Sequence, residues 1–209
     1  MRIGIIGIGN VGGTLGRSWA ARGHEVIFGV RDPRAPHVTA LLEEIGPAAR
    51  ATNIEEAVAA ASTVVLAVPW EAAPDVIAAA GDLSGKILVD TTNPIAPGFE
   101  LALGHDTSAA EEIARCADGA RVVKAFNTLG AEHLADPIFG DEVLTMFLCG
   151  DDPEARDTVA ELARELGFEV VDAGPLKNAR LIEPLAMLWI RLALVEGAGR
   201  DIAFKLIRR

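Results

Sequence analysis

The stretch Arg2-Ile-Gly-Ile-Ile-Gly-Ile-Gly-Asn-Val-Gly-Gly13 decides how this chain folds. Its apolar first half predicts a buried β-strand, and its glycines predict a turn that opens into a helix. Gly7, Gly9 and Gly12 have the spacing G-x-G-x-x-G, in which the glycines permit a tight turn, close approach of a diphosphate and close helix–strand packing. Unpaired N–H groups at the helix start attract negative charge. The segment therefore predicts a dinucleotide-binding turn.

The surrounding sequence continues as alternating strands and helices. A strand at 3–8, a helix at 11–22 and a strand at 25–30 form a β-α-β unit around the glycines. Further helices are predicted at 37–45, 54–61, 71–80, 108–117, 153–166 and 179–196, and further strands at 63–68, 86–91, 121–126, 143–149 and 168–172. The pattern predicts an α/β fold: a Rossmann-like, doubly wound, mostly parallel sheet with a small α/β C-terminal extension.

The composition of the chain argues against several kinds of binding partner. The formal net charge of -11 argues against a nucleic-acid surface, because phosphate binding requires clustered Lys and Arg. No apolar stretch reaches membrane-spanning length and no signal peptide is recognised, so a cytoplasmic protein without membrane contact is predicted. Cys116 and Cys149 match no metal or redox spacing, and both are predicted to be buried apolar residues. No metal site is predicted.

Ligands of open parallel sheets bind outside the carboxyl ends of the strands. Five loops follow predicted strands at this edge, and all five are candidates for one cleft: Gly9-Asn10, Val30-Arg31, Val68-Pro69-Trp70, Thr91-Thr92-Asn93-Pro94 and Ala125-Phe126-Asn127.

The end of the second strand bears on the choice between NAD and NADP. Arg31 and Arg34 can offer charged, planar groups to a 2′-phosphate, which favours NADP. Asp32 complicates this, because an acidic side chain turned inward would favour NAD. The alternative is that both arginines are solvated turn residues.

Three residues near these loops keep two interpretations each. His133 either contacts the second substrate or packs the turn, and Lys124 either approaches the cofactor or forms a salt bridge. Trp70 either stacks on a ring or fills its loop. The chain has no tyrosine, which excludes the Ser-Tyr-Lys proton relay of short-chain carbonyl reductases.

The chain resembles the bacterial and archaeal NADPH-dependent reductases of the deazaflavin coenzyme F-420 (F420), which are also related to the cytosolic domain of membrane ferric reductases. The resemblance covers essentially the whole chain and is carried by the motifs Gly7-Ile-Gly-Asn-Val-Gly12, Gly29-Val-Arg31, Ala67-Val-Pro-Trp-Glu71, Asp90-Thr-Thr-Asn-Pro94, Val123-Lys-Ala-Phe-Asn-Thr128, Cys149-Gly-Asp-Asp152 and Asp172-Ala-Gly-Pro175.

The resemblance implies an oxidoreductase that transfers a hydride between NADP(H) and coenzyme F-420. It assigns the diphosphate to Gly9-Asn10-Val11 and the 2′-phosphate to Val30-Arg31, although many members carry Ser in place of Val30. The predicted cofactor-binding residues are Gly7, Ile8, Gly9, Asn10, Val11, Gly12, Val30, Arg31, Arg34, Ala67, Val68, Pro69, Thr91, Asn93 and Ala125. Ala125, Phe126 and Asn127 are expected to position the reacting rings, because direct hydride transfer depends on positioning more than on an acid or base.

The sequence divides into residues 1–127, predicted to bind NADP, and residues 128–209, predicted to form the substrate pocket and a dimerisation surface. The apolar run Leu185-Ala-Met-Leu-Trp-Ile190 fits either a homodimer contact or the core.

Two alternatives to hydride transfer with coenzyme F-420 would use the same NADPH site. One is reduction of another acceptor such as a flavin, imine or ketone, and the other is redox sensing without turnover.

Overall fold

A computed structural model describes all 209 residues and contains one eight-stranded sheet with two short hairpins. The strands of the large sheet are β1 (Arg2–Ile6), β2 (Glu25–Gly29), β3 (Ala49–Thr52), β4 (Thr63–Leu66), β5 (Ile87–Asp90), β8 (Arg121–Lys124), β11 (Thr145–Gly150) and β12 (Glu169–Asp172). The hairpins are β6 (Ile95–Ala96) with β7 (Glu100–Leu101), and β9 (Ile138–Phe139) with β10 (Glu142–Val143).

Six of the strands form a parallel sheet in the order β3-β2-β1-β4-β5-β8. The chain starts at β1, runs outward to β3, and then crosses back to β4 on the other side of β1. This reversal opens a crevice at the carboxyl ends of β1 and β4, where ligands of such sheets bind. The order confirms the predicted Rossmann-like, doubly wound fold.

Seven α-helices accompany the sheet: α1 (Asn10–Ala20), α2 (Pro36–Ile45), α3 (Ile54–Ala59), α4 (Ala73–Ala78), α5 (Ala109–Cys116), α6 (Pro153–Glu165) and α7 (Ala179–Leu194). Alternate strand residues face opposite sides, so β1 sends Ile3 and Ile5 into one core and Ile6 into another. Helices α1, α2 and α6 cover the first face, and α3, α4 and α5 cover the second. Both faces of the sheet are therefore buried.

The C-terminal region, residues 128–209, continues the same sheet. Strand β11 pairs antiparallel with β8, and β12 pairs parallel with β11. Helix α7 runs through Pro184 without ending there. It then forms a third apolar cluster, in which Met187, Trp189 and Ile190 pack near the hairpin β6–β7 and the tail residues Ile202 and Phe204. None of the helices combines the length and apolarity that crossing a membrane would require.

The structure departs from the sequence-based expectations in a few places. Strand β3 was not predicted, because Ala49-Arg-Ala-Thr52 lacks an apolar run and its side chains are only partly buried. The predicted helix at 71–80 is a 3₁₀ turn at Trp70–Ala72 followed by α4. Cys149 is buried as predicted, but the prediction for Cys116 is wrong, because that side chain is exposed at the end of α5.

Candidate functional site

The glycine loop joins β1 to α1 and is shaped by contacts with its own backbone and with the loop after β4. Gly7 has a φ of 103°, and a Cβ there would lie 2.3 Å from the carbonyl oxygen of Ala67. A Cβ at Gly12 would lie 2.3 Å from the carbonyl oxygen of Gly7. Gly9 differs, since no atom lies within 4 Å of its Cβ position. The first and third glycines are therefore required by the fold, whereas the second leaves open space above the backbone.

Helix α1 presents an open N-terminus beside this space. Gly9 is its N-cap residue, no side chain accepts a hydrogen bond from the first turn, and that turn contains no acidic residue. The first N–H groups of a helix carry partial positive charge and need acceptors. The loop thus has the properties of an anion site for a diphosphate.

A cavity of about 740 Å³ lies at the carboxyl edge of the sheet, enclosed by the loops after β1, β2 and β4. Several predicted cofactor residues line it: Gly7, Ile8, Gly9, Val30, Arg31, Ala67, Val68 and Pro69. Other predicted residues lie outside its wall: Asn10, Val11, Gly12, Arg34, Thr91, Asn93 and Ala125. We call this space the glycine-loop cavity.

The charged groups in the cavity are of both signs. Arg31 is exposed and lines the wall beside Asp32. Asp32 Oδ1 accepts a hydrogen bond of 2.9 Å from the backbone N–H of Arg34, so this carboxylate also holds the turn. Arg31 therefore lines the cavity wall, whereas Arg34 lies outside it.

Sequence reasoning missed part of the wall. Helix α2 and the residue before it contribute Ala35, His37 and Val38, and helix α4 and the residue after it contribute Asp75, Val76 and Ala79. Both helices begin just after a strand that ends at the cavity, and Asp75 and Ala79 lie four residues apart on one face. The four-residue spacing of Asp75 and Ala79 after β4 is the sequence feature that could have indicated this part of the wall.

The loops after β5 and β8 meet each other outside the wall of the glycine-loop cavity. The side-chain amide of Asn93 donates a hydrogen bond of 3.0 Å to the carbonyl oxygen of Asn127, and the amide of Asn127 donates one of 3.0 Å to Asn93 Oδ1. Asn127 Oδ1 and Thr92 Oγ1 are buried and have no protein partner. Buried polar atoms normally have partners, so these two acceptors suit a bound polar ligand.

Other predicted residues of these loops face the protein interior. The Thr91 hydroxyl donates a hydrogen bond of 3.0 Å to the carbonyl oxygen of Leu66. Phe126 has a φ of 61°, which is strained for a bulky residue. Its ring packs edge-on against Trp19 with centroids 5.7 Å apart, and its N–H donates to the sulfur of Met146. Phe126 therefore shapes the loop from the core side. Trp70 packs against the second core face.

Lys124 lies at the end of β8 and forms salt bridges. Its side chain is 0% exposed, and its Nζ lies 2.9 Å from Asp90 Oδ2 and 3.0 Å from Glu183 Oε1. Burial opposes its charge, but the carboxylates of Asp90 and Glu183 outweigh burial and raise the pKa of Lys124. The ammonium group stays protonated and enclosed, so Lys124 is not a free acid or base. Nearby, burial raises the pKa of the Cys149 thiol to about 12.

His133 binds the tail of the chain. Its Nε2 lies 3.1 Å from the carbonyl oxygen of Arg200, and its ring packs against Phe139. The guanidinium of Arg200 binds both carboxylate oxygens of the neighbouring Glu132 at 2.5 and 2.7 Å and lies 5.7 Å from the ring centre of Trp189. Hydrogen bonding to Arg200 lowers the pKa of Glu132 to about 2. His133 thus takes part in a contact that holds the tail on the C-terminal region.

Comparisons with known proteins agree with this geometry. Residues 2–94 match the family model described as NADP oxidoreductase coenzyme F420-dependent. The F420-dependent NADP reductase of Methanothermobacter marburgensis is 33% identical over 221 residues, which cover 95% of this chain and 96% of that protein. The metalloreductase STEAP3 of Rattus norvegicus is 36% identical over 190 residues, and this chain spans 37% of that protein's length.

A solved structure is similar to this chain over its whole length. A crystal structure ascribed to an F420-dependent NADP-reductase of Arthrobacter sp. FB24 superimposes with a TM-score of 0.89 and 34% identity, covering 99% of both chains. An imine reductase of Streptomyces aurantiacus shares the fold with a TM-score of 0.70 at 20% identity, covering 94% of this chain and 64% of that one.

Proposed function

The chain belongs to the family of coenzyme F420-dependent NADP oxidoreductases, and we propose that it transfers a hydride between NADP(H) and a deazaflavin coenzyme. The observation that carries the proposal is a relative named F420-dependent NADP reductase that aligns over 95% of this chain and 96% of its own length. The glycine-loop cavity supports it, because its residues fit a phosphorylated dinucleotide.

The residues at the glycine loop would hold the diphosphate and the adenosine end. The open N-terminus of α1 supplies N–H donors, and the bare backbone at Gly9 leaves room for the diphosphate. Arg31 would bind the 2′-phosphate and so favour NADP over NAD. Val30 lines the wall without a hydroxyl donor, and Arg34 stands outside the wall, so the preference depends mainly on Arg31.

The loops after β4, β5 and β8 would hold the reactive end. Bound NADPH supplies the hydride, so the protein has to orient the ring and exclude water. Asn93 and Asn127 fix each other's side chains, and Asn127 Oδ1 is left as a buried acceptor for a polar group of the cofactor. Lys124 is enclosed by two carboxylates, which suits a reaction that needs positioning and no protein acid.

We also propose the division of labour predicted from the sequence, in which residues 1–127 bind NADP and residues 128–209 complete the acceptor pocket and pair with a second copy. Helix α7 supports the pairing, because Leu181 and Leu188 lie seven residues apart on it and are 70% and 48% exposed, and Val195, the residue that follows the helix at the same spacing, is 45% exposed. Such a stripe is typical of helices that pack on a partner helix. A cytoplasmic location and the absence of nucleic-acid binding stay predictions of the sequence.

The decisive experiment mixes the protein with NADPH and oxidised deazaflavin and follows the absorbance of both. We expect both to decrease together in equal molar amounts, because one hydride leaves NADPH for each deazaflavin reduced. Parallel reactions contain riboflavin or a cyclic imine in place of deazaflavin. Turnover with one of these acceptors alone would replace the proposal with reduction of another acceptor. NADPH binding without any turnover would indicate a redox sensor.

A further inference from the structure

A buried group of three charged side chains lies beneath the loops at the reactive end. It consists of Lys124 from β8, Asp90 from β5 and Glu183 from α7, and we call it the buried triad. The three side chains are 0%, 0% and 1% exposed, and Lys124 Nζ lies within 3.0 Å of a carboxylate oxygen of each partner. The triad joins the sheet to the C-terminal helix without access to solvent.

The triad also forms hydrogen bonds with the backbone of Thr92 and with the first turn of α5. Lys124 Nζ donates a hydrogen bond of 2.5 Å to the carbonyl oxygen of Thr92, and Asp90 Oδ1 accepts one of 2.8 Å from the N–H of the same residue. Glu183 accepts hydrogen bonds of 2.8 and 3.0 Å from the N–H groups of Ala109 and Ala110, in the first turn of α5. The triad therefore joins four elements of the fold, β5, β8, α5 and α7.

The backbone that the triad holds leads directly to the pair of asparagines. Thr92 precedes Asn93, and Asn127 lies three residues after Lys124. Asn93 and Asn127 bind each other reciprocally, and the buried acceptors Asn127 Oδ1 and Thr92 Oγ1 have no protein partner. The Asn93 side is therefore bonded to the triad through Thr92, and the Asn127 side continues the strand that carries Lys124.

A contribution to stability does not by itself explain why three charged side chains are buried together. Burying three charges costs desolvation free energy, and apolar residues of similar volume are often as stabilising or more so. The specific property of a buried, fully bonded network is its single geometry. Here that geometry ends at two buried polar atoms, Asn127 Oδ1 and Thr92 Oγ1, that have no protein partner.

We propose that Lys124 and Glu183 are positioning residues that fix the Asn93–Asn127 pair for the nicotinamide end of NADP, so that helix α7 takes part in shaping the cofactor site. The proposal rests on the proposed function, because it requires NADP in the cleft. The triad itself does not touch the cofactor; it acts through Thr92 and the two asparagines.

The test compares two ligands in each variant by calorimetry: NADPH and 2′-phospho-ADP-ribose, which lacks the nicotinamide. Glu183→Gln keeps the size of the side chain and removes its charge. We expect this variant to lose about tenfold in NADPH affinity, which is the size of effect that one weakened hydrogen bond to the nicotinamide end would have. Its affinity for 2′-phospho-ADP-ribose should stay within about twofold of the wild type, since the glycine-loop cavity is untouched.

The matched control is Arg180→Met. Arg180 also joins α7 to α5, through a two-point salt bridge with Glu111 at 2.7 and 2.8 Å, but it makes no bond to the loops of the cleft. A purely structural role of the α7–α5 contact predicts equal changes in both variants. We expect Arg180→Met to lower thermal stability and to leave the ratio of the two affinities unchanged.

Each result decides the proposal. An unchanged affinity ratio in folded Glu183→Gln, or an equal change in Arg180→Met, would overturn it. If Glu183→Gln does not fold, Asn93→Ala at the half-buried end of the same chain of bonds must give the selective NADPH loss, and a normal ratio there would overturn it as well. If the wild type binds neither ligand, the proposed function fails instead, so the two failures are distinguishable.

Discussion

The glycine-loop unit, residues 2–29, and the C-terminal region are held in shape by different means. In the first, the contacts are backbone against backbone, and the residues that meet are near one another in sequence or on adjacent strands. In the second, long-range side-chain bonds dominate: Glu183 with Lys124, Arg180 with Glu111, and Arg200 with Glu132. One added methyl group can therefore disrupt the first region, whereas the second depends on many separate pairs.

The largest expected effect is on the glycine loop. Gly7→Ala places a Cβ 2.3 Å from the Ala67 carbonyl oxygen at a φ of 103°, so both backbone strain and a backbone clash result. We expect a loss of about 4 kcal/mol in the free energy of unfolding, measured by urea titration.

Gly9→Ala is the matched control in the same loop. Its Cβ would meet no atom within 4 Å, so the stability should change by less than about 1 kcal/mol. NADPH affinity should still fall about tenfold, because the methyl group occupies the diphosphate's approach. Equal stability losses in the two variants would remove the distinction between a fold-required and a ligand-required glycine.

The second prediction tests the exposed face of α7. Leu188→Glu introduces a charge that a pairing helix would have to bury, and we expect it to weaken self-association by about 3 kcal/mol. Analytical ultracentrifugation measures the change. Ile138→Glu, at another apolar side chain that is 55% exposed, should leave association unchanged. A wild-type monomer at all concentrations would end the dimer proposal.

The third prediction concerns cofactor preference. Arg31→Ala should weaken NADPH binding by about 2 kcal/mol, which is typical of a hydrogen bond to a charged group, and should leave NADH binding nearly unchanged. Arg34→Ala should cost less, because Arg34 stands outside the cavity wall. Competition binding with both cofactors provides the measurement, and equal losses for NADPH and NADH would contradict the assignment of Arg31.

The smallest expected effect is at the tail. The pKa of Glu132 is about 2 in the folded protein against an ordinary 4.5, so its pairing with Arg200 contributes fully above about pH 4.5 and is lost as the pH falls through 2. The carboxylate is 39% exposed, so screening keeps the contribution below about 1 kcal/mol. Limited proteolysis of the tail with an acid-active protease should become faster over this range.

Arg200→Met is the control for this effect. Without the guanidinium, the pKa of Glu132 should return towards its ordinary value, and tail cleavage should then vary little between pH 4.5 and 2. If tail cleavage in Arg200→Met still becomes faster as the pH falls, carboxylates other than Glu132 cause the effect.

The difference between the two regions also explains what the sequence could predict. The β-α-β unit was readable because its strands are continuous apolar runs and its glycines have fixed spacing. The two-residue strands of the hairpins have no such period. The partners of Lys124 could not be predicted, because Asp90 and Glu183 are 34 and 59 positions away in the sequence and meet it only after the sheet and α7 are in place.

Glu183 shows this most clearly. A proline inside a helix usually kinks or ends it, but α7 continues through Pro184, and the adjacent Glu183 reaches the triad. His133 likewise had two interpretations, and its bond to the Arg200 carbonyl oxygen depends on a tail 67 residues further along. Local patterns predict elements, whereas contacts between distant elements require the assembled fold.

The placement of the tryptophans has a practical consequence. The chain has three of them and no tyrosine. Trp19 lies in the first core face against Phe126, Trp70 packs against the second core face after β4, and Trp189 lies beneath Arg200 of the tail. Intrinsic fluorescence of this protein therefore comes from one indole in each of three regions, and replacing two at a time with Phe would give a separate optical signal for each face of the sheet and for the tail.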